Sequence, residues 1–346
     1  MTASMHLKSG MARMLFMARA SDFFLQRRTR EGRFFVLAYH RVLPPEEAKA
    51  WVQPGMYVSP RTFECHLRFL RERCRVVPLY ELLDPWIRAS LRKEGKPACA
   101  VTFDDGWHDS YRHAFPLLKR YAIPATLFVP VNFIGSSRWF WTDRLARLLL
   151  ACHRENRAVF EPAILPDGDR WAPVFQALDG RFEDQLERVI ERLKAFRSED
   201  AGRLVDALGR FHGIDPSPPG RAFMNWQEAR EMVHSGLVDI GSHSLSHRIL
   251  TTLSREEVEE EVQRSRDELL DRKLAEAETL SFCYPNGDFT SDIAHAVQQA
   301  GYRAGVTTRA GWNDRDPDPF ALKRLGMHED VSRTDAMFAA RVAGLI

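Results

Sequence analysis

Short, nearly uninterrupted apolar runs alternate with helical patterns along most of the chain, and this rhythm restricts the fold more than any other feature. The runs are FFVLAYH (34–40), RVVPL (75–79), ACAVTF (98–103), ATLFVPV (125–131), VDIGS (238–242), LSFCYP (280–285) and RAGVTT (303–308). Strands this apolar are expected to be buried on both faces, as in parallel sheets covered by helices. Helical patterns fill the gaps at 60–73, 109–121, 225–235, 254–273 and 290–300. Asp109, Ser254 and Ser291 stand at expected N-caps, and Ser254 with Glu257 spells a capping box. About seven βα repeats favour a closed barrel over an open sheet. One stretch, about 136–222, carries helical patterns only and ends in DPSPPG, a turn and linker signature. It reads as a helical insertion.

With 346 residues, 45% of them hydrophobic, the chain can bury a large core as one barrel domain. The expected division is a basic amphipathic N-terminal segment, 1–32, and a barrel over 33–346 that carries the insertion. A net charge of +2 is too near balance to argue for nucleic acid. Five scattered cysteines without a CxxC pair argue against a disulfide framework and for a reducing, cytoplasmic compartment. Arg13, Arg19 and Asp22 interrupt every candidate signal-peptide core. Residues 1–30 hold Lys8, Arg13, Arg19, Arg27, Arg28 and Arg30 against Asp22 alone, beside Met14, Leu15, Phe23 and Phe24. They suit either a peripheral helix on anionic lipid at the inner membrane face or a helix packed on the domain.

The chemistry concentrates where apolar runs stop. In CAVTFDDGWHDS (99–110) a strand ends on Asp104 and Asp105, two like charges that neither burial nor mutual contact favours. Both would sit at the C-terminal rim of a barrel strand, where barrel enzymes place their sites. In IGSHSLSH, His243 and His247 follow another strand four residues apart, a spacing that in a helical turn brings both imidazoles to one ion. Two neutral imidazoles and one carboxylate make a three-ligand site suited to zinc hydrolysis, and iron(II) uses similar sets. A divalent cation would neutralise one aspartate and acidify a water for the other to deprotonate. Asp105 is taken as ligand and Asp104 as base, although spacing alone does not separate them. FCYPNG (282–287) ends a further strand in a turn whose backbone N–H groups suit an oxyanion, and LAYHRV delivers His40 to the same rim.

Together these motifs resemble the polysaccharide deacetylase (NodB-homology, carbohydrate esterase family 4) superfamily over about 34–136 and 223–328. The resemblance implies a distorted (β/α)7 barrel, Asp104 as general base, and Asp105, His243 and His247 as ligands of zinc or another divalent metal. The third family motif, Arg-x-Pro-Tyr/Phe-Gly, is altered: CYPNG keeps Pro285 and Gly287 but has Cys283 for the arginine and Asn286 for the aromatic. Arg324 in LKRLGMH is a candidate to supply the missing charge. For the catalytic acid, the opening LAYHRV resembles the permuted poly-N-acetylglucosamine deacetylase group and points to His40, with His328 nearer the usual family position.

The implied reaction is metal-dependent N-acetyl hydrolysis on N-acetylglucosamine-type sugars of a polysaccharide, such as an exopolysaccharide, or of an oligosaccharide. A backbone N–H near Tyr284 would bind the oxyanion, with Pro285 beside the sugar. Two alternatives stand beside it: a deacetylase or deformylase of a lipid-linked sugar at the cytoplasmic membrane face, and a barrel that binds glycan without turnover.

Overall fold

Side chains alternate across a strand, so every second residue of each run is committed to one face. A computed structural model of the chain describes residues 20–51, 55–158, 167–217 and 220–345. Its strands, in chain order, are β1 Phe35–Tyr39, β2 Arg41–Val42, β3 Tyr57–Val58, β4 Arg75–Val76, β5 Ala98–Phe103, β6 Ala125–Val129, β7 Val238–Ser242, β8 Ser281–Cys283, β9 Ala304–Ala310 and β10 Leu322–Gly326. The order β1-β10-β9-β8-β7-β6-β5 closes on itself because β5 also pairs with β1, from Phe35 opposite Cys99 to Tyr39 opposite Phe103. All pairings around this ring are parallel. The protein is thus an α/β fold with a closed, seven-stranded parallel barrel, as expected.

Ring membership differs from the expectation in one place. The run at 75–79 yields only β4, which flanks β5 outside the ring, because the chain leaves the strand at Pro78 for a 3-10 turn over Leu79–Leu83. The seventh ring strand is β10, where Lys323 and Arg324 break the apolar pattern. Val36, Ala100, Phe128, Cys283, Val306 and Leu322 fill the interior, each fully buried or nearly so. Gly241 leaves room for this core: a Cβ there would lie 2.5 Å from the Phe128 ring.

Helix starts follow local chemistry. Ser254 and Glu257 form the expected capping box, Asn225 and Glu228 form another, and Thr290 rather than Ser291 caps the helix Ser291–Gln299. Asp109 caps nothing; a π-helical turn, Ser110–Ala114, begins there while its carboxylate is engaged elsewhere. In the N-terminal segment, Ala20–Arg30 is a helix that buries Ser21, Leu25 and Thr29 and lays Arg28 over Trp312 at 5.3 Å. Residues 1–19, which carry the rest of the basic segment, lie outside the described residues. Among the described residues no helix is long and apolar enough to cross a membrane.

The chain divides into two compact units. One is the barrel with its surrounding helices. The other comprises residues 44–56 and 137–222 and is helical, with Trp141–Arg154, Gly168–Phe175, Phe182–Leu193 and Ser198–His212 packed on Leu145, Leu148, Ile190, Leu193, Val205 and Leu208. Among its described residues there is no strand. The helix Pro45–Trp51 joins it by packing against Trp141–Arg154, so the unit draws on two separate pieces of chain.

One strand residue works against stability. Asp239, near the start of β7, has its pKa raised to about 6, first by burial and then by Glu81 and Glu276. The folded state therefore favours the protonated acid, and above pH 6 the ionised form opposes folding. Asp239→Asn is expected to stabilise the protein at pH 7.5 by about 1–2 kcal/mol, discounted for its partial exposure. Denaturant titrations at pH 7.5 and pH 4 check this, because the gain should vanish where the native carboxyl is already protonated.

Candidate active site and metal centre

β5 runs inward at Ala100 and Thr102, and the same phase carries Asp104 over the barrel mouth, where its N–H donates to Tyr39 O at 2.9 Å. Asp105 then adopts φ 74° and Gly106 φ 67°, both in the left-handed region. A Cβ at Gly106 would come within 2.7 Å of Ile134, so the turn requires glycine there. For Asp105 the conformation costs of order 1–3 kcal/mol, a strain typical of functional turns. The turn separates the two adjacent carboxylates, which have different partners.

Asp105 faces the histidines. Its Oδ1 lies 3.4 Å from His243 Nε2 and 3.2 Å from His247 Nε2, with the rings 4.7 Å apart at 73°. One donor atom from each of the three residues falls within 4.8 Å of the others. The histidines do not share a helical turn, as their spacing had suggested. His243 leaves β7 with its N–H on Val129 O at 2.9 Å, and left-handed Ser244 (φ 65°) and His247 (φ 58°) fold the loop back. His243 Nδ1 donates to Cys283 O at 2.7 Å, which fixes the ring with Nε2 directed at Asp105. Buried Glu261 accepts the Ser246 N–H at 2.8 Å and braces the same loop.

The electrostatics fit a cation at this point. Burial alone would raise the Asp105 pKa, but hydrogen bonds with both imidazoles hold it well below the usual carboxylate range. Burial opposes the His243 cation as well. A Cys283 thiolate would counter this, but burial pushes that thiol up and keeps it neutral, so Asp105 and Asp104 are what raise His243. His247 moves down, by burial and by its neighbour His243. The trio thus holds one positive charge against one carboxylate, and a divalent cation supplies that charge without protonating a ligand. Two imidazole nitrogens and a carboxylate oxygen are zinc-type donors.

Asp104 faces Arg324. Arg324 Nη1 donates to Oδ1 at 2.7 Å and Nη2 to Oδ2 at 2.8 Å, a bidentate pair buried on both sides. The remaining donors reach Thr307 O (2.9 Å), Thr102 Oγ1 (3.2 Å) and Cys283 Sγ (3.3 Å), so all five guanidinium N–H groups are used. A break in register between β9 and β10 presents the Thr307 carbonyl here. Burial raises the Asp104 pKa, yet the charge and hydrogen bonds of Arg324, with His40 and His243, bring it below its ordinary value. The charge absent from CYPNG therefore arrives from β10, and Cys283 contributes its sulfur to the same guanidinium.

The remaining expected residues are placed unequally. His40, one residue beyond β1, sets Nε2 3.7 Å from Asp104 Oδ2 and is partly exposed. His328 lies instead beside Asp330, 3.6 Å from its carboxylate, at the start of the short helix Glu329–Ser332. Pro285 is buried in a 3-10 turn, Pro285–Gly287. Tyr284 cannot offer the oxyanion donor itself. Its N–H donates to Val306 O at 3.2 Å within the barrel and its hydroxyl to Phe320 O at 3.0 Å. Proline has no N–H, so the next main-chain donor along the turn belongs to Asn286, at φ 60°.

Three further residues surround Asp105: Trp107, Arg41 and Asp109, the last expected from sequence only as a helix cap. Trp107 Nε1 donates to Asp105 Oδ2 at 2.8 Å, leaving Oδ1 for the histidines. The guanidinium of Arg41 lies 4.1 Å over the indole and pairs with Asp109, which also accepts the Val42 N–H at 2.8 Å. The adjacency of Trp107 to the aspartate pair and of Arg41 to His40 was the available signal.

The family profile for polysaccharide deacetylases matches residues 92–155 and 209–305, which include both aspartates and both histidines. The chain is 22% identical over 283 residues to YxkH of Bacillus subtilis (strain 168), a protein assigned by name to the polysaccharide deacetylases, covering 80% of this chain and 68% of that one. Among solved structures, the Streptococcus pyogenes deacetylase PplD, in complex with acetate, superposes with a TM-score of 0.54 at 17% identity, covering 89% of this chain and 97% of that one. IcaB from Ammonifex degensii superposes with a TM-score of 0.53 at 20% identity, covering 90% and 97%. Residues 92–155 and 209–305 thus carry the match to a polysaccharide deacetylase domain.

Proposed function

We propose that the protein is a metal-dependent carbohydrate N-deacetylase that removes acetyl groups from N-acetylglucosamine-type sugars in a polysaccharide or oligosaccharide. One observation carries the reading: a carboxylate held ionised by a bidentate arginine, Asp104, stands at the barrel mouth beside the Asp105, His243 and His247 trio. The trio would hold a divalent cation, zinc by its donor chemistry. When bound, such an ion supplies Lewis-acid polarisation of an amide carbonyl and lowers the pKa of water.

The chain's own groups supply the proton transfers. Asp104 accepts the proton of the attacking water at its carboxylate, and Arg324 keeps that carboxylate oriented and charged until then. The Asn286 N–H donates to the carbonyl oxygen as negative charge grows on it. His40, next to Asp104 and open to solvent, donates a proton to the departing nitrogen. A C–O bond forms and the C–N bond breaks, giving acetate and a free amine.

The test is incubation of the zinc-loaded protein with N-acetylglucosamine oligomers, assaying acetate and free amine together. Equal release of the two is expected. Neither product from oligomer or polymer would overturn the substrate assignment. We extend the reading to a cytoplasmic site of action, supported by five cysteines that are all unpaired, four of them buried; recovery from cells in a non-cytoplasmic fraction would contradict it.

A further inference from the structure

We propose that Trp107, braced by Arg41 and Asp109, is a positioning residue that sets the cation affinity of the Asp105, His243 and His247 trio; this rests on the reading of that trio as a metal centre. A carboxylate has two oxygens and rotates about its bond to Cβ. For two imidazoles to share one oxygen, the other must be anchored. The Trp107 indole is the anchor: it is buried, stacked on Phe223 with ring centroids 4.7 Å apart, and its N–H reaches Asp105 Oδ2 at 2.8 Å.

Behind the indole, Arg41 adds orientation and polarisation. Its guanidinium lies 4.1 Å from the ring centroid, close enough for a cation–π contact. A cation over the ring draws electron density from the nitrogen and makes the N–H a stronger donor to Oδ2. Asp109 fixes the guanidinium with Nε at 2.8 Å and Nη2 at 2.7 Å from Oδ2, while its Oδ1 takes the Val42 N–H at 2.8 Å. Val42 and Arg41 form β2, directly after His40. A single short segment therefore carries the residue beside Asp104 and the brace for Asp105. A change in β2 reaches the trio through the Arg41–Trp107 contact and the Trp107–Asp105 hydrogen bond.

Outer partners of this kind commonly change metal affinity tenfold to a hundredfold. The measurement is zinc affinity by chelator competition on the full chain, with the absorption spectrum of the cobalt-loaded protein and the rise in melting temperature on adding zinc. Trp107→Phe keeps an aromatic ring but removes the donor and is expected to weaken zinc by about tenfold to a hundredfold. Arg41→Met combined with Asp109→Asn removes the brace without stranding a charge and is expected to weaken zinc about threefold to tenfold with Trp107 intact. A merely structural role would lower the melting temperature of the metal-free protein while leaving zinc affinity and the cobalt spectrum unchanged. Wild-type zinc affinity in the Arg41→Met/Asp109→Asn protein overturns the proposal, including where Trp107→Phe does not fold. Failure of the wild-type protein to bind zinc would instead defeat the metal-centre reading.

Discussion

Asp104→Asn lowers the rate of acetate release by about 10²- to 10⁴-fold and leaves zinc binding intact. Asparagine preserves the shape of the side chain and one hydrogen-bond acceptor for Arg324, but it cannot accept a proton at neutral pH. The left-handed turn at Asp105 and Gly106 gives the two carboxylates different partners, Arg324 for Asp104 and the two histidines for Asp105. Loss of activity with retained zinc therefore distinguishes a base from a ligand. Isothermal titration with zinc and an acetate assay on the same preparation check both halves. Loss of zinc with loss of activity would mean that the two aspartates had been assigned in the wrong order.

Arg324→Met is expected to combine a large stability loss with a large catalytic loss. The arginine is almost wholly buried and so is Asp104, and removing one partner strands a carboxylate without compensation. Breaking a buried pair in this way costs about 3–5 kcal/mol. The variant should unfold at markedly lower denaturant, and the folded fraction should show reduced kcat with little change in KM, since Arg324 reaches the reaction only through Asp104. Arg324→Lys restores the charge but not the two parallel hydrogen bonds, and is expected to recover stability more fully than kcat. Equal recovery of both would argue that charge alone, rather than the fork geometry, prepares the base.

The same arginine explains what the sequence made legible and what it hid. A strand announces itself by its apolar inward residues, and six of the seven ring strands do so, from FFVLAYH to RAGVTT. β10 does not, because its central inward residue is Arg324, whose five donors are satisfied only once β5, β8 and β9 stand beside it. The strand that completes the barrel is thus the one whose polarity serves the site. Conversely RVVPL looked apolar enough to be a ring strand, and Pro78 turned it out of the sheet.

The aspartate pair and the two histidines were legible because each stands where an apolar run stops, and chain direction in a parallel barrel brings all such ends to one rim. Their fine geometry was not. It depends on positive φ at Asp105, Ser244 and His247, which their residue types do not demand. At the 283–287 turn the Tyr284 N–H is used by the pairing of β8 with β9, which is why the proposed donor is Asn286. Asp109 read as a helix cap from its position, and only the proximity of Arg41, 68 residues earlier in the chain, reveals its partner. The helical unit likewise gains residues 44–56, a piece far from 137–222 in sequence.

The most direct test of the account is the metal content of the purified protein after reconstitution with zinc, measured beside Asp105→Ala and the His243→Ala/His247→Ala double variant. Because the ligands must be brought together by folding before the ion binds, retention of metal reports the assembled trio. About one zinc per wild-type chain is expected, lost in both variants, with acetate release from N-acetylglucosamine oligomers lost in parallel. A wild-type chain that stays metal-free, or variants that hold zinc as well as the wild type, would contradict it.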